Sequence, residues 1–76
     1  MRIYLGGHLS FYHPRKEIWL EVKLTEPALL TKILDDAGIP LGEVQLVAIN
    51  DEVVGLHDTI VSPQDKVKLF SAVGGG

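Results

Sequence analysis

The sequence predicts an α+β domain in which one helix packs on one face of a mixed sheet of four to five strands. Three observations predict it. Several short segments alternate apolar and polar residues, one stretch repeats apolar residues at helical spacing, and turn-forming residues separate them. With 76 residues and no cysteine, there is material for one core and no disulfide or cysteine-based metal site to staple it. A hydrophobic content of 46% is enough to build that core.

Met1 to Leu5 reads as a strand, with Met1, Ile3 and Leu5 on one side and Arg2 and Tyr4 on the other. Gly6-Gly7 interrupts it, and His8 to Lys16, which contains Pro14, reads as a long hairpin connection. From Glu17 to Leu24 the alternation resumes. Ile18, Leu20, Val22 and Leu24 are expected inward, and Trp19, Glu21 and Lys23 outward, in a strand antiparallel to the first.

A helix is expected from about Glu26 to Ala37. Thr25 supplies a hydroxyl for the free first-turn amides, and Pro27 is tolerated where those amides have no intrahelical partner. Leu29, Leu30, Ile33, Leu34 and Ala37 make one apolar stripe, so one face is buried. Gly38 suits a left-handed C-terminal cap, and Pro40 forbids continuation.

Glu43 to Asn50 is an apolar sheet segment. Asn50-Asp51 turns it into a short return strand over Glu52 to Gly55. Leu56 to Gln64 is irregular, anchored by Ile60 and Val61, and Ser62-Pro63-Gln64-Asp65 is a turn. Lys66 to Phe70 closes the sheet, with Val67 and Leu69 inward and Lys66, Lys68 and Phe70 outward. The expected division is a folded domain over 1–70 and a flexible glycine tail over 71–76. The order strand, strand, helix, strand, short strand, strand is that of a β-grasp.

Composition excludes several function classes. Ten acidic against seven basic side chains give a net charge of −3, with no basic cluster of the kind nucleic acids require. No stretch approaches the roughly 18 apolar residues of a membrane span, and no signal-peptide pattern opens the chain. A cytoplasmic protein is expected. His8, His13 and His57 have no carboxylates at ligand spacing and read as surface histidines. Asp35-Asp36 reads as a solvated helix end, and Gly6-Gly7 lacks the lysine and helix of a phosphate loop. A small core with no catalytic constellation points away from a self-contained enzyme.

The chemistry-bearing segment is then Ala72-Val73-Gly74-Gly75-Gly76. Taken alone, three glycines read equally as a frayed end or a remnant of cloning. Joined to the fold they mean more. Glycine is slim enough for a narrow channel, and residues 71–76 can reach about 20 Å when extended, at roughly 3.3–3.6 Å per residue. A terminal carboxylate carried that far can enter another enzyme's active site while the body docks outside.

This order of elements ending in Gly75-Gly76 resembles the ThiS/MoaD family of ubiquitin-like sulfur carriers, over the whole chain. Val47-Ala48-Ile49-Asn50-Asp51-Glu52-Val53-Val54 is similar to the family's valine–asparagine–glycine–glutamate–valine strand and turn. Pro63-Gln64-Asp65-Lys66-Val67 is similar to its turn before the last strand, and Val73-Gly74-Gly75-Gly76 to its ending. Asp51 and Lys66 depart from the pattern, where the family usually has glycine-like and acidic residues.

The resemblance implies a carrier and co-substrate, not an enzyme. A ubiquitin-activating-like adenylyltransferase would use ATP to adenylate the Gly76 carboxylate, a sulfur donor enzyme would convert it to a thiocarboxylate, and an acceptor synthase would take the sulfur. No cofactor is bound by the carrier itself. The acceptor would be the large subunit of molybdopterin synthase or a thiazole synthase. The long connection from Gly6 to Lys16 looks MoaD-like, and the Ala-Val-Gly-Gly-Gly ending looks ThiS-like; the molybdenum or tungsten pterin branch is favoured over the thiamine thiazole branch. Two alternatives stay open: a protein modifier conjugated through Gly76, and an interaction module with an inert tail.

Alternation also places Arg2, Tyr4, Trp19, Lys23, Lys66, Lys68 and Phe70 on the sheet face away from the helix. Phe70, Lys68, Trp19 and Tyr4 are the candidate partner-docking residues, since exposed aromatics rimmed by charge suit an interface. Scattered surface aromatics over a thin sheet are the equal alternative.

Overall fold

A computed structural model describes residues 1–71. Its elements are β1 (Arg2–Gly6), a 3₁₀ turn (Leu9–Tyr12), β2 (Trp19–Glu21), β3 (Ala28–Leu29), α1 (Leu30–Asp36), a second 3₁₀ turn (Leu41–Glu43), β4 (Leu46–Ile49), β5 (Glu52–Val54), β6 (Ile60–Val61) and β7 (Val67–Phe70). Five strands form the main sheet in the order β2-β1-β7-β4-β5, and β3 pairs with β6 in a small second sheet. The central pair β1–β7 is parallel, and the other three pairings of the main sheet are antiparallel. A parallel pair needs a long crossover, and the chain carrying α1 supplies it. This is the β-grasp arrangement.

On β1 and β7 the inward residues are those the alternation predicts. Ile3, Leu5, Val67, Leu69 and Val47 are at most 1% exposed and meet Leu30, Ile33 and Leu34 of α1 in one cluster, which Leu9, Leu20, Ile39 and Val61 complete. Removing a side chain from such a core costs about 2–5 kcal/mol for Leu or Ile to Ala. Gly38 takes φ +79 at the end of α1. The Ile39 amide donates to the Leu34 carbonyl at 2.9 Å and the Gly38 amide to the Asp35 carbonyl at 3.1 Å, which satisfies carbonyls the helix leaves open.

Several local expectations need correction. The helix begins at Leu30, not Glu26. Pro27 disfavours helical backbone at Glu26, and Ala28-Leu29 instead pairs with Val61-Ile60. The Leu30 amide donates to the Thr59 carbonyl at 2.9 Å, so a neighbouring loop does what Thr25 was expected to do. Leu29, expected in the buried stripe, is 46% exposed.

The second strand is shorter than Glu17–Leu24, because β1 limits it. Pairing is bracketed by the Leu5 amide on the Ile18 carbonyl and the Val22 amide on the Met1 carbonyl. Ile18, expected inward, is 50% exposed at that end. The segment expected as a strand from Glu43 starts at Leu46, since Leu41–Glu43 forms a 3₁₀ turn closed by the Val44 amide on the Leu41 carbonyl. Finally, Ile60 is 62% exposed, and its neighbour Val61 anchors this segment together with Leu56, which packs against the core.

Candidate functional site

The open face of the sheet is built by register. Tyr4 lies opposite Trp19 on β2 and opposite Lys68 on β7, and Lys68 lies opposite Ala48 on β4. Side chains of directly opposed residues share a face, so one row runs Trp19, Tyr4, Lys68, Ala48 and, across the β4–β5 pair, Val53. A second row runs Gly6, Phe70, Leu46. These are the residues that do not face α1.

The aromatic rings touch. Tyr4 and Trp19 meet edge-on with centroids 5.4 Å apart, and Tyr4 and Phe70 are tilted at 5.8 Å. The Arg2 guanidinium covers the outer ring, 4.6 Å from the Trp19 centroid, and is held by Glu21 at 3.0 Å. Such exposed pairs stabilise by well under about 1 kcal/mol, so they orient the rim more than they hold the fold. Tyr4, Trp19, Lys68 and Phe70 together line an open cavity of about 390 Å³.

Gly6 is what lets the rings close. A Cβ there would stand 2.6 Å from Phe70 Cδ1 and 2.9 Å from Tyr4 Cε2, inside any tolerable contact. The one cation of the cavity, Lys68, reaches sideways to Asp51 at 3.7 Å. Asp51 itself adopts φ +71, in the left-handed region that most non-glycine residues avoid.

All four candidate docking residues are therefore brought into one depression. Lys23 and Lys66 of the wider expected face do not line it. Leu46 and Val53, 41% and 67% exposed, belong to the same open face and were missed. In the sequence they sit in apolar runs that give no sign of which side each residue faces.

Ser71 follows Phe70 and differs from the expectation that placed it in the tail. It is 8% exposed, and its hydroxyl accepts the His8 amide at 2.6 Å. The predicted tail motif Gly74, Gly75 and Gly76, including the terminal carboxylate, lies outside the described residues.

Among the described residues no three His, Cys, Asp or Glu side chains come together as a metal site, and no helix is long and apolar enough to cross a membrane. No curated protein matches the chain. The ThiS family model matches residues 11–76, from the first 3₁₀ turn through the terminal glycines. Members of that family are small carrier proteins with a general role in carrying sulfur, which accords with a β-grasp whose candidate site is an open face. On a match over most of its length, the chain belongs to the ThiS family.

Proposed function

We propose that this protein carries sulfur as a thiocarboxylate on Gly76, for a biosynthetic enzyme that takes up the atom. The observation carrying the reading is that the family match runs through Gly74, Gly75 and Gly76. A carboxylate is a poor electrophile. An adenylating partner makes it a good one: a carboxylate oxygen attacks the α-phosphorus of ATP, pyrophosphate leaves, and the acyl carbon now bears AMP as leaving group. Hydrosulfide attacks the acyl carbon, AMP leaves and the sulfur loses its proton, and the resulting thiocarboxylate is a soft nucleophile that stays tethered to its carrier. The unhindered glycine carbonyl suits the second displacement, which takes place at the acyl carbon.

Nothing in this scheme requires a catalytic side chain of the carrier. What it does require is a surface that places the tail in the partner. Tyr4, Trp19, Lys68 and Phe70 serve that role, since a shallow aromatic depression with one cation offers apolar anchorage and a point of charge complementarity. The partners are a ubiquitin-activating-like adenylyltransferase, a sulfur donor enzyme and an acceptor synthase, and ATP is consumed by the first of these. The connection between β1 and β2, long enough to hold its own 3₁₀ turn, favours the pterin branch of molybdenum and tungsten cofactor synthesis. The Ala-Val-Gly-Gly-Gly ending supports thiazole synthesis as the second reading.

Intact-mass measurement after incubation with ATP, the activating enzyme and a sulfide source tests the chemistry. The expected product has one terminal oxygen replaced by sulfur. A product linked instead to lysines of other proteins would make the chain a modifier. An unchanged mass, with partner binding retained after loss of Gly75-Gly76, would make it an interaction module.

A further inference from the structure

The parallel strands β1 and β7 end side by side at Gly6 and Phe70, and there the two chains must part. One enters the turn toward Leu9, and the other continues from Ser71 toward the glycines. Ser71 stands at this fork. Its hydroxyl accepts the His8 amide at 2.6 Å in a partly buried bond, with Ser71 itself 8% exposed and His8 at the surface. A hydrogen bond shielded on its acceptor side is stronger than one fully at the surface.

The other side of the fork is held by the core. Leu9, the residue after His8, is fully buried, and Gly7 takes φ +64 to reach it. Gly7 is also required by Ser71 directly. A Cβ at position 7 would fall on Ser71 Oγ, and would come within 3.1 Å of its amide nitrogen and 3.2 Å of its carbonyl oxygen. The backbone of Ser71 is thus seated against a glycine that cannot be anything larger.

Granted the carrier role proposed above, we propose that Ser71 is a positioning residue: its bond to the His8 amide fixes the backbone from which the glycyl segment starts, relative to the aromatic face one residue away. It touches no reacting atom. Its importance comes from leverage. When a partner draws residues 72–76 taut, they span about 17 Å, and a tilt of about 10° at their root moves the far end by about 3 Å. Displacements far smaller than this lower the rate of a positioned reaction strongly.

The test is carrier-dependent pyrophosphate–ATP exchange with the cognate activating enzyme, comparing the wild-type chain with Ser71→Ala. Docking uses Tyr4, Trp19, Lys68 and Phe70, which this change leaves in place. KM for the carrier should stay within about two-fold while kcat falls roughly 5–10-fold. Hydrogen exchange read on the same variant should show the His8 amide losing protection while the Leu5 and Leu69 amides keep theirs. Unchanged kcat with a deprotected His8 amide would overturn the positioning role alone. So would a fall in kcat matched by faster exchange at Leu5 and Leu69, which would mean general loosening. A wild-type chain that supports no exchange at all would sink the carrier reading, and the positioning role with it.

Discussion

Asn50 and Lys66, sixteen residues apart, bond to each other twice. The Asn50 amide donates to the Lys66 carbonyl at 2.8 Å, and the Lys66 amide donates to the Asn50 side-chain oxygen at 2.9 Å. The same side chain donates through Nδ2 to Asp65 at 3.0 Å, and Asp65 in turn accepts the Ser62 amide at 2.8 Å. One asparagine therefore ties the β4–β5 hairpin to the turn that feeds β7. It does so from φ +52, a backbone region that asparagine enters more readily than most residues.

Replacing Asn50 separates these contributions. Asn50→Gly keeps the left-handed backbone and loses the side-chain bonds, at a cost of about 1 kcal/mol. Asn50→Ala loses both and should cost about 2–3 kcal/mol. Urea unfolding midpoints in the order wild type, glycine, alanine are expected; equal midpoints for the two variants would show that backbone handedness contributes nothing here.

Gly7 and Gly38 both have positive φ, but only one is crowded. A Cβ at Gly38 would meet nothing within 4 Å, whereas at Gly7 it would strike Ser71. Gly38→Ala should therefore lower stability by about 1 kcal/mol, from backbone conformation alone. Gly7→Ala should cost at least about 1 kcal/mol more, because a well-packed seam must open. Thermal unfolding of the pair measures the difference directly.

The proposed docking face and the tail can be tested apart. Phe70→Ala should reduce kcat/KM for adenylation by about ten-fold, as loss of one interface aromatic does. Removal of Gly75-Gly76 should abolish adenylation while partner binding, followed by Trp19 fluorescence, stays within about three-fold. Normal adenylation of the Phe70 variant would remove that residue from the docking surface.

Tyr12 gives a pH signature. Partial burial raises its pKa above the ordinary 10.0, and the hydrogen bond it donates to Glu43 at 3.2 Å and the charge of that carboxylate raise it further. A phenol that holds its proton more tightly when folded stabilises the protein fully below pH 10.0, and that contribution is lost as pH rises through the higher folded value. Melting temperature should fall more steeply at alkaline pH for the wild type than for Tyr12→Phe. Parallel curves would show that the ring's environment does not differ between the folded and unfolded chain.

Periodicity alone specified which residues of β1 and β7 face the core, because alternation in a strand is a property of the backbone and needs no partner. The Gly38 cap and the Asn50-Asp51 turn were legible for the same reason: each depends on a backbone preference carried by one or two residues. The family pattern in the same stretches pointed to the carrier class. Partners decided the rest. The helix start moved to Leu30 because Val61-Ile60 offered Ala28-Leu29 a strand, and β2 extends only over the residues that pair with β1. Leu46 and Val53 joined the aromatic face only when register laid them beside Phe70 and Ala48. Ser71 became a buried anchor through an amide 63 residues away in the chain, a contact that no local propensity encodes and that exists only because β1 and β7 run in parallel.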